Sequence, residues 1–189
     1  MHTHLILLRG INVSGQKIIK MEDLRNLLAA AGFSNVQTYI QSGNVFVDTS
    51  ESDPGEIENK VTALLLEKYD FQVPVVAVSE RQLLDVFTTN PYLSEPIVPV
   101  KQLYVAFLAT EPTAENTARL EPEFVQPDTF QIANNRRAVY LNYVNSAGNS
   151  KMTNNWIENK LKVTATSRNW NTITKLITLF ESRKKNTSG

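Results

Sequence analysis

The order of secondary-structure signals on either side of one proline-rich stretch constrains this chain most. Residues Asn90 to Pro99 hold three of the eight prolines and read as an extended linker. Before it, residues 4–88 give strand–helix–strand–strand–helix–strand–helix; after it, residues 102–183 give the same order without obvious sequence similarity. Leu5 to Leu8, Val36 to Ile40, Val45 to Val47 and Val73 to Val78 supply the first four strands. Asp53-Pro54-Gly55-Glu56 announces the second helix, with Asp as N-cap, Pro at the first helical position and Glu where a capping box places it. Such a split βαβ order buries one face of an antiparallel sheet, with strand order 4-1-3-2, beneath its helices. The expected fold class is α+β: a tandem of two ferredoxin-like (βαββαβ) halves, each with an extra C-terminal helix. The expected boundaries are residues 1–89, a linker at 90–100, residues 101–183 and a disordered tail at 184–189.

Composition removes whole classes of function. With 42% hydrophobic and 20% charged residues, the 189-residue chain reads as globular. Nineteen basic residues balance nineteen acidic ones, which argues against a long-range field for nucleic acid or anionic membrane. No apolar run of membrane-spanning length is present, and the start runs straight into a strand, so no membrane partner and a cytoplasmic location are expected. The absence of cysteine excludes disulfides, thiolate nucleophiles and cysteine-bound metals. Both histidines, His2 and His4, sit near the terminus, where two ligands on a frayed end make a poor metal site. A histidine-centred acid–base mechanism therefore has almost nothing to draw on. The carboxylates fall mostly on helices, as solvated faces and caps, so no metal constellation is read.

Four polar clusters remain. The densest is Thr166-Ser167-Arg168-Asn169-Trp170-Asn171-Thr172, at a strand-to-helix junction. In the expected topology it shares one end of its half with Asn145 to Lys151. Likewise Arg9-Gly10-Ile11-Asn12 shares an end of the first half with Gln41-Ser42-Gly43-Asn44, because the strands they follow are neighbours. The expected ligand-binding set is Arg9, Asn12, Lys20, Gln41, Ser42, Asn44, Ser150, Lys151, Arg168, Asn169, Trp170 and Asn171. Four cations and many neutral donors, without an acid in the same motifs, suit an anion: arginine grips phosphate or carboxylate with paired bonds, and lysine adds a point charge. Helix N-termini at the same ends add donors, and Trp170 offers a stacking face. If the two ends face each other, all four clusters line one cleft between the halves. Each residue also has a plainer reading. The glycines and asparagines serve turns and caps, Trp170 serves the core, and Arg168 serves an ion pair with Glu158 or Asp128. Ser150-Lys151 after Gly148 lacks the spacing of a nucleotide phosphate loop.

Leu7-Leu8-Arg9-Gly10-Ile11-Asn12-Val13, Lys20-Met21, Thr38 to Val45, Ser150-Lys151 and Thr166 to Thr172 together resemble the domain-of-unknown-function 1697 family, over nearly the full chain. Ser14 stands where that family commonly has glycine, and Ser167 where threonine is usual. The resemblance implies a bacterial-type cytosolic protein of two ferredoxin-like subdomains and carries no established activity. The functional expectation is a small phosphate- or carboxylate-bearing ligand, a nucleotide or metabolite, with Lys151 or Lys20 as the electrophile or acid of any reaction and no cofactor assigned. The alternatives are an RNA or single-strand binder using Tyr39, Phe46, Tyr104 and Phe107 on an open sheet face, and a non-catalytic scaffold.

Overall fold

The computed structural model describes residues 1–94 and 98–187, without the side chains of 185–187. Residues 95–97 of the expected linker and 188–189 of the expected tail lie outside the described residues. The chain packs as two units, Met1–Glu80 and Arg81–Gly189.

The first unit runs β1 (His2–Leu8), α1 (Met21–Ala30), β2 (Ser34–Tyr39), β3 (Asn44–Thr49), α2 (Pro54–Tyr69) and β4 (Val75–Ser79). Its strands form one antiparallel sheet in the order β2-β3-β1-β4. Strand alternation puts Ile6, Leu8, Val45, Val47, Val75 and Ala77 in one cluster with Leu24 and Leu28 of α1 and Ile57, Val61 and Leu65 of α2. Each such aliphatic side chain contributes about 1.5–3 kcal/mol on burial. Asp53 caps α2 by accepting from Gly55 N at 2.8 Å, with Pro54 at the first position. The reciprocal acceptor for Asp53 N is Glu51 Oε1 at 2.8 Å, two residues upstream, rather than Glu56 of the expected capping box. The bend before the helix brings Glu51 there first.

Helix α3 (Glu80–Thr88) follows β4 directly. Its side chains join the second unit, so the division falls at Glu80 and not in the proline-rich stretch. Asp85 accepts from Asn135 Nδ2 at 2.7 Å, the Tyr140 hydroxyl donates to Val86 O at 3.1 Å, and Phe87 stacks on Trp170. The helix expected as the first half's C-terminal addition thus packs with the other sheet.

The second unit continues with β5 (Leu103–Leu108), α4 (Ala114–Thr117), α5 (Pro122–Val125), β6 (Thr129–Ile132), β7 (Ala138–Asn142), α6 (Asn154–Leu161), β8 (Ala165–Asn169) and α7 (Trp170–Thr187). Its antiparallel sheet has the order β6-β7-β5-β8. Between β5 and β6 the helical part is two short helices, α4 capped by Thr113 and α5 opened by Pro122 at its first position. Helix α6 begins at Asn154, where Thr153 Oγ1 accepts from Trp156 N at 3.1 Å. Helix α7 continues past Arg183 to Thr187, through positions expected as tail. The protein is thus a mixed α+β chain with two four-stranded antiparallel sheets. Among the described residues, no helix is long and apolar enough to cross a membrane.

Candidate functional site

In the first unit, Leu7 pairs with Asn44, and Leu8 N donates to Gly43 O at 2.8 Å, so the end of β1 abuts the β2–β3 turn. Asn12 fastens the following loop to that turn. Its Nδ2 donates to Gln41 O at 2.9 Å and Ile19 O at 3.0 Å, and its Oδ1 accepts from Ile19 N at 2.8 Å. With φ at 55°, Asn12 adopts a left-handed conformation that asparagine tolerates better than most residues. Asn44, fully buried, donates to Tyr39 O and to Ser42 Oγ, each at 3.0 Å. Gly43 is required twice over: φ is +80°, and a Cβ there would lie 2.6 Å from Leu8 Cβ. Arg9, Lys20, Gln41 and Ser42 are therefore carried at one end, the last three exposed and Arg9 half-buried. Lys20 is the N-cap residue of α1 and makes no side-chain capping bond. Glu22 and Asp23 already offset the helix dipole in its first turn, so the cations rather than the helix end carry positive character here.

Ile40, in the same turn, has φ at 49° and is 48% exposed. A β-branched residue in the left-handed region costs about 1–2 kcal/mol, which neither core packing nor a cap repays here.

In the second unit, Asn142 faces Leu103 and Asn169 faces Tyr104, so β7 and β8 finish at the same end. A buried carboxylate organises the loop between β7 and α6. Asp128 accepts from Val144 N at 2.8 Å and from Ser150 Oγ, and Ser150 Oγ accepts from Met152 N at 2.9 Å. Lys151 is exposed, its ammonium 5.2 Å from the centre of the Phe124 ring. Ser167 Oγ donates to Asn154 Oδ1 at 2.6 Å, and Asn169 Oδ1 accepts from Thr172 N at 2.8 Å, capping α7. Asn169 and Asn171 are exposed. Trp170 is 4% exposed and lies parallel to Phe87 at 5.5 Å, so one ring face is already covered.

Arg168 lies within β8, opposite Val105, and is 8% exposed. Its Nη1 donates to Thr166 Oγ1 at 3.0 Å and to Ser167 O at 2.9 Å. Burial pulls its guanidinium down to about 10, which still leaves it charged at neutral pH. Of the two carboxylates considered as its partners, Glu158 accepts from Ala165 N at 2.9 Å and Asp128 serves the loop described above.

The structure thus brings Arg9, Asn12, Lys20, Gln41, Ser42 and Asn44 to one end of the first unit, and Ser150, Lys151, Asn169 and Asn171 to one end of the second. Arg168 and Trp170 it buries. Within these groups Asn12, Asn44, Ser150 and Asn169 are occupied by bonds that hold the backbone. Sequence reading missed Asp128 as an organiser, because its aspartate precedes a strand like any turn residue. It also missed Ile40, since a positive φ at isoleucine has no local signal. His4 is buried with neither ring nitrogen hydrogen-bonded, its ring 6.5 Å from that of the exposed His2. Among the described residues no group of three or more His, Asp or Glu is arranged to hold a metal ion.

The family described as "Protein of unknown function (DUF1697)" matches residues 1–140, and the chain belongs to it. The fold is similar to that of the conserved bacterial protein SP0830 from Streptococcus pneumoniae, with a TM-score of 0.66 and 20% identity over 94% of this chain and 97% of that one. No curated protein matches the chain.

Proposed function

We propose that this member of the DUF1697 family binds a small phosphate- or carboxylate-bearing molecule, a nucleotide or metabolite, with Arg9 and Lys20 as its principal cations. The observation that carries the reading is the Asn12 brace: one amide ties the Arg9–Lys20 loop to the Gln41–Asn44 turn and sets two cations beside neutral donors. Arginine supplies paired bonds to an anion, and lysine a mobile charge. Lys151, Asn169 and Asn171 form a second, smaller donor group in the other unit. We read both units as ferredoxin-like, which the βαββαβ order and the antiparallel pairing of both sheets support. A cytoplasmic setting accords with a chain that has no cysteine.

A nucleic-acid role through an open sheet face is disfavoured. Phe46 and Phe107 are fully buried, and Tyr104 packs edge-on against Tyr143, so bases have little aromatic surface to stack on.

Thermal-shift measurement against nucleotides, phosphate esters and carboxylates tests the reading, because a ligand of the native state raises its stability. Arg9→Ala and Lys20→Ala are expected to lower the shift given by any hit at least tenfold in apparent affinity. A hit whose shift is untouched by both would move the site elsewhere.

A further inference from the structure

We propose that the first unit carries a second small-molecule site, for a zwitterionic amino acid, in the cavity at the start of α2. The cavity measures about 300 Å³, and Phe33, Thr49, Glu51, Glu56, Ile57 and Lys60 are among the residues that line it. Phe33 and Ile57, 4% and 1% exposed, give it an apolar floor, while Glu51, Glu56 and Lys60 are exposed around it. His2 pairs with Thr49 and Leu7 with Asn44, so this cavity and the Arg9–Gln41 end lie at opposite ends of the first sheet. The inference therefore stands apart from the anion-binding reading above.

The charges around the cavity are not spent on each other. Glu56 precedes Lys60 by four residues, the order and spacing at which a helix pairs a carboxylate with an ammonium. Lys60 instead lies over the Phe33 ring, 4.8 Å from its centre, and no ion pair joins it to Glu56. Glu51 Oε1 accepts from Asp53 N at 2.8 Å, which orients that carboxylate on the cavity wall. His4 adds a second observation. By strand alternation it shares the helix-covered face of the sheet with Ile6 and Leu8, and it pairs with Val47, two residues before Thr49 of the wall. It is 2% exposed, neither ring nitrogen is hydrogen-bonded, and Glu51 is among the groups that act on it. Buried polar groups nearly always have a hydrogen-bond partner, so an imidazole with none from the chain points to a partner from outside it. Charge complementarity narrows the occupant. A plain anion meets two carboxylates, and a plain amine leaves Lys60 without a counter-charge. A ligand that brings its ammonium to Glu51 and Glu56 and its carboxylate to Lys60, with a short hydrocarbon on Phe33 and Ile57, answers every charged group and the floor.

Calorimetric titration of the full chain with α-aminobutyrate and γ-aminobutyrate, and with butylamine and butyrate as the two half-ligands, tests this. Wild type is expected to bind at least one aminobutyrate about tenfold or more tighter than either half-ligand, since each half-ligand forgoes one charge-assisted contact. Glu56→Gln and Lys60→Met change exposed side chains, and unchanged melting temperatures would verify that both variants fold. Glu56→Gln is expected to bring aminobutyrate affinity down towards that of butyrate, and Lys60→Met down towards that of butylamine. A half-ligand that binds as tightly as the aminobutyrates overturns the inference, and so does aminobutyrate binding that either variant leaves intact. No binding by any of the four compounds overturns it as well, and leaves the Arg9–Lys20 site to its own test.

Discussion

The two units solve one topological problem with different chemistry. Ile57 of α2 and Ile157 of α6 are both 1% exposed, and the glutamates that follow them play the same part: Glu58 accepts from Ala77 N at 2.8 Å and Glu158 from Ala165 N at 2.9 Å. Each carboxylate satisfies a backbone N–H on an outermost strand of its sheet, which also blunts that edge against pairing with another chain. At the polar ends the units diverge. The first is fastened by a neutral amide, Asn12, working through backbone at positive φ; the second is fastened by a buried carboxylate, Asp128. An amide brace adds no charge of its own to the loop that carries Arg9 and Lys20, whereas a carboxylate brace places a negative charge in the loop that carries Lys151. That difference, rather than the number of donors, makes the first unit the better place for an anion.

The largest contrast is expected between two glycines. Gly43→Ala combines a left-handed φ with a Cβ driven 2.6 Å from Leu8 Cβ, and should destabilise by about 3–4 kcal/mol. Gly148→Ala meets nothing within 4 Å and should stay within about 0.5 kcal/mol, both read from urea unfolding. Equal effects would mean that the two ends are equally loosely packed. Next come the braces. Asp128→Ala strands Val144 N and Ser150 Oγ and should cost about 2–3 kcal/mol, against about 1–2 kcal/mol for Asn12→Ala, whose site is more exposed. A larger loss at Asn12 would reverse the ranking of the two fastenings. Glu58→Gln and Glu158→Gln should each cost about 1 kcal/mol and speed hydrogen exchange at Ala77 and Ala165 respectively, since a neutral acceptor replaces a charged one. Acceleration in one unit alone would break the parallel.

The smallest expected effect separates the units by pH. Burial, opposed in part by Glu51 and reinforced by His2, holds the His4 imidazole below its ordinary value. The unfolded chain therefore binds the proton first as pH falls. Stability from neutral His4 is complete above the ordinary imidazole range and is lost as pH drops through it towards the folded value. Exchange protection of β1 should fall between pH 7 and pH 5 more than that of β5, and His4→Gln should level the two; identical pH slopes in wild type would remove His4 from the account.

Much of the architecture was legible because it depends on local rules. The start of α2 follows from Asp53 and Pro54, and the continuous apolar run of β1 with the glycine-bearing turn after β2 was enough to place the Arg9 loop beside the Gln41 turn. Other features depend on partners far away in sequence. Where in the strand-to-helix junction the strand ends, and hence that Arg168 belongs to β8, was not readable, because strand ends shift by two residues without any change in pattern. Trp170 meets Phe87, and α3 joins the sheet containing Tyr140, through contacts more than fifty residues apart.

By itself the sequence determined the two antiparallel sheets, the absence of thiol chemistry and the scarcity of histidine, because periodicity and composition act at every residue regardless of partners. Only the tertiary structure decided which polar side chains are spent on holding backbone and which face outward. A hydrogen bond to a buried carbonyl and a hydrogen bond to water look the same in a list of residues, and burial alone distinguishes them.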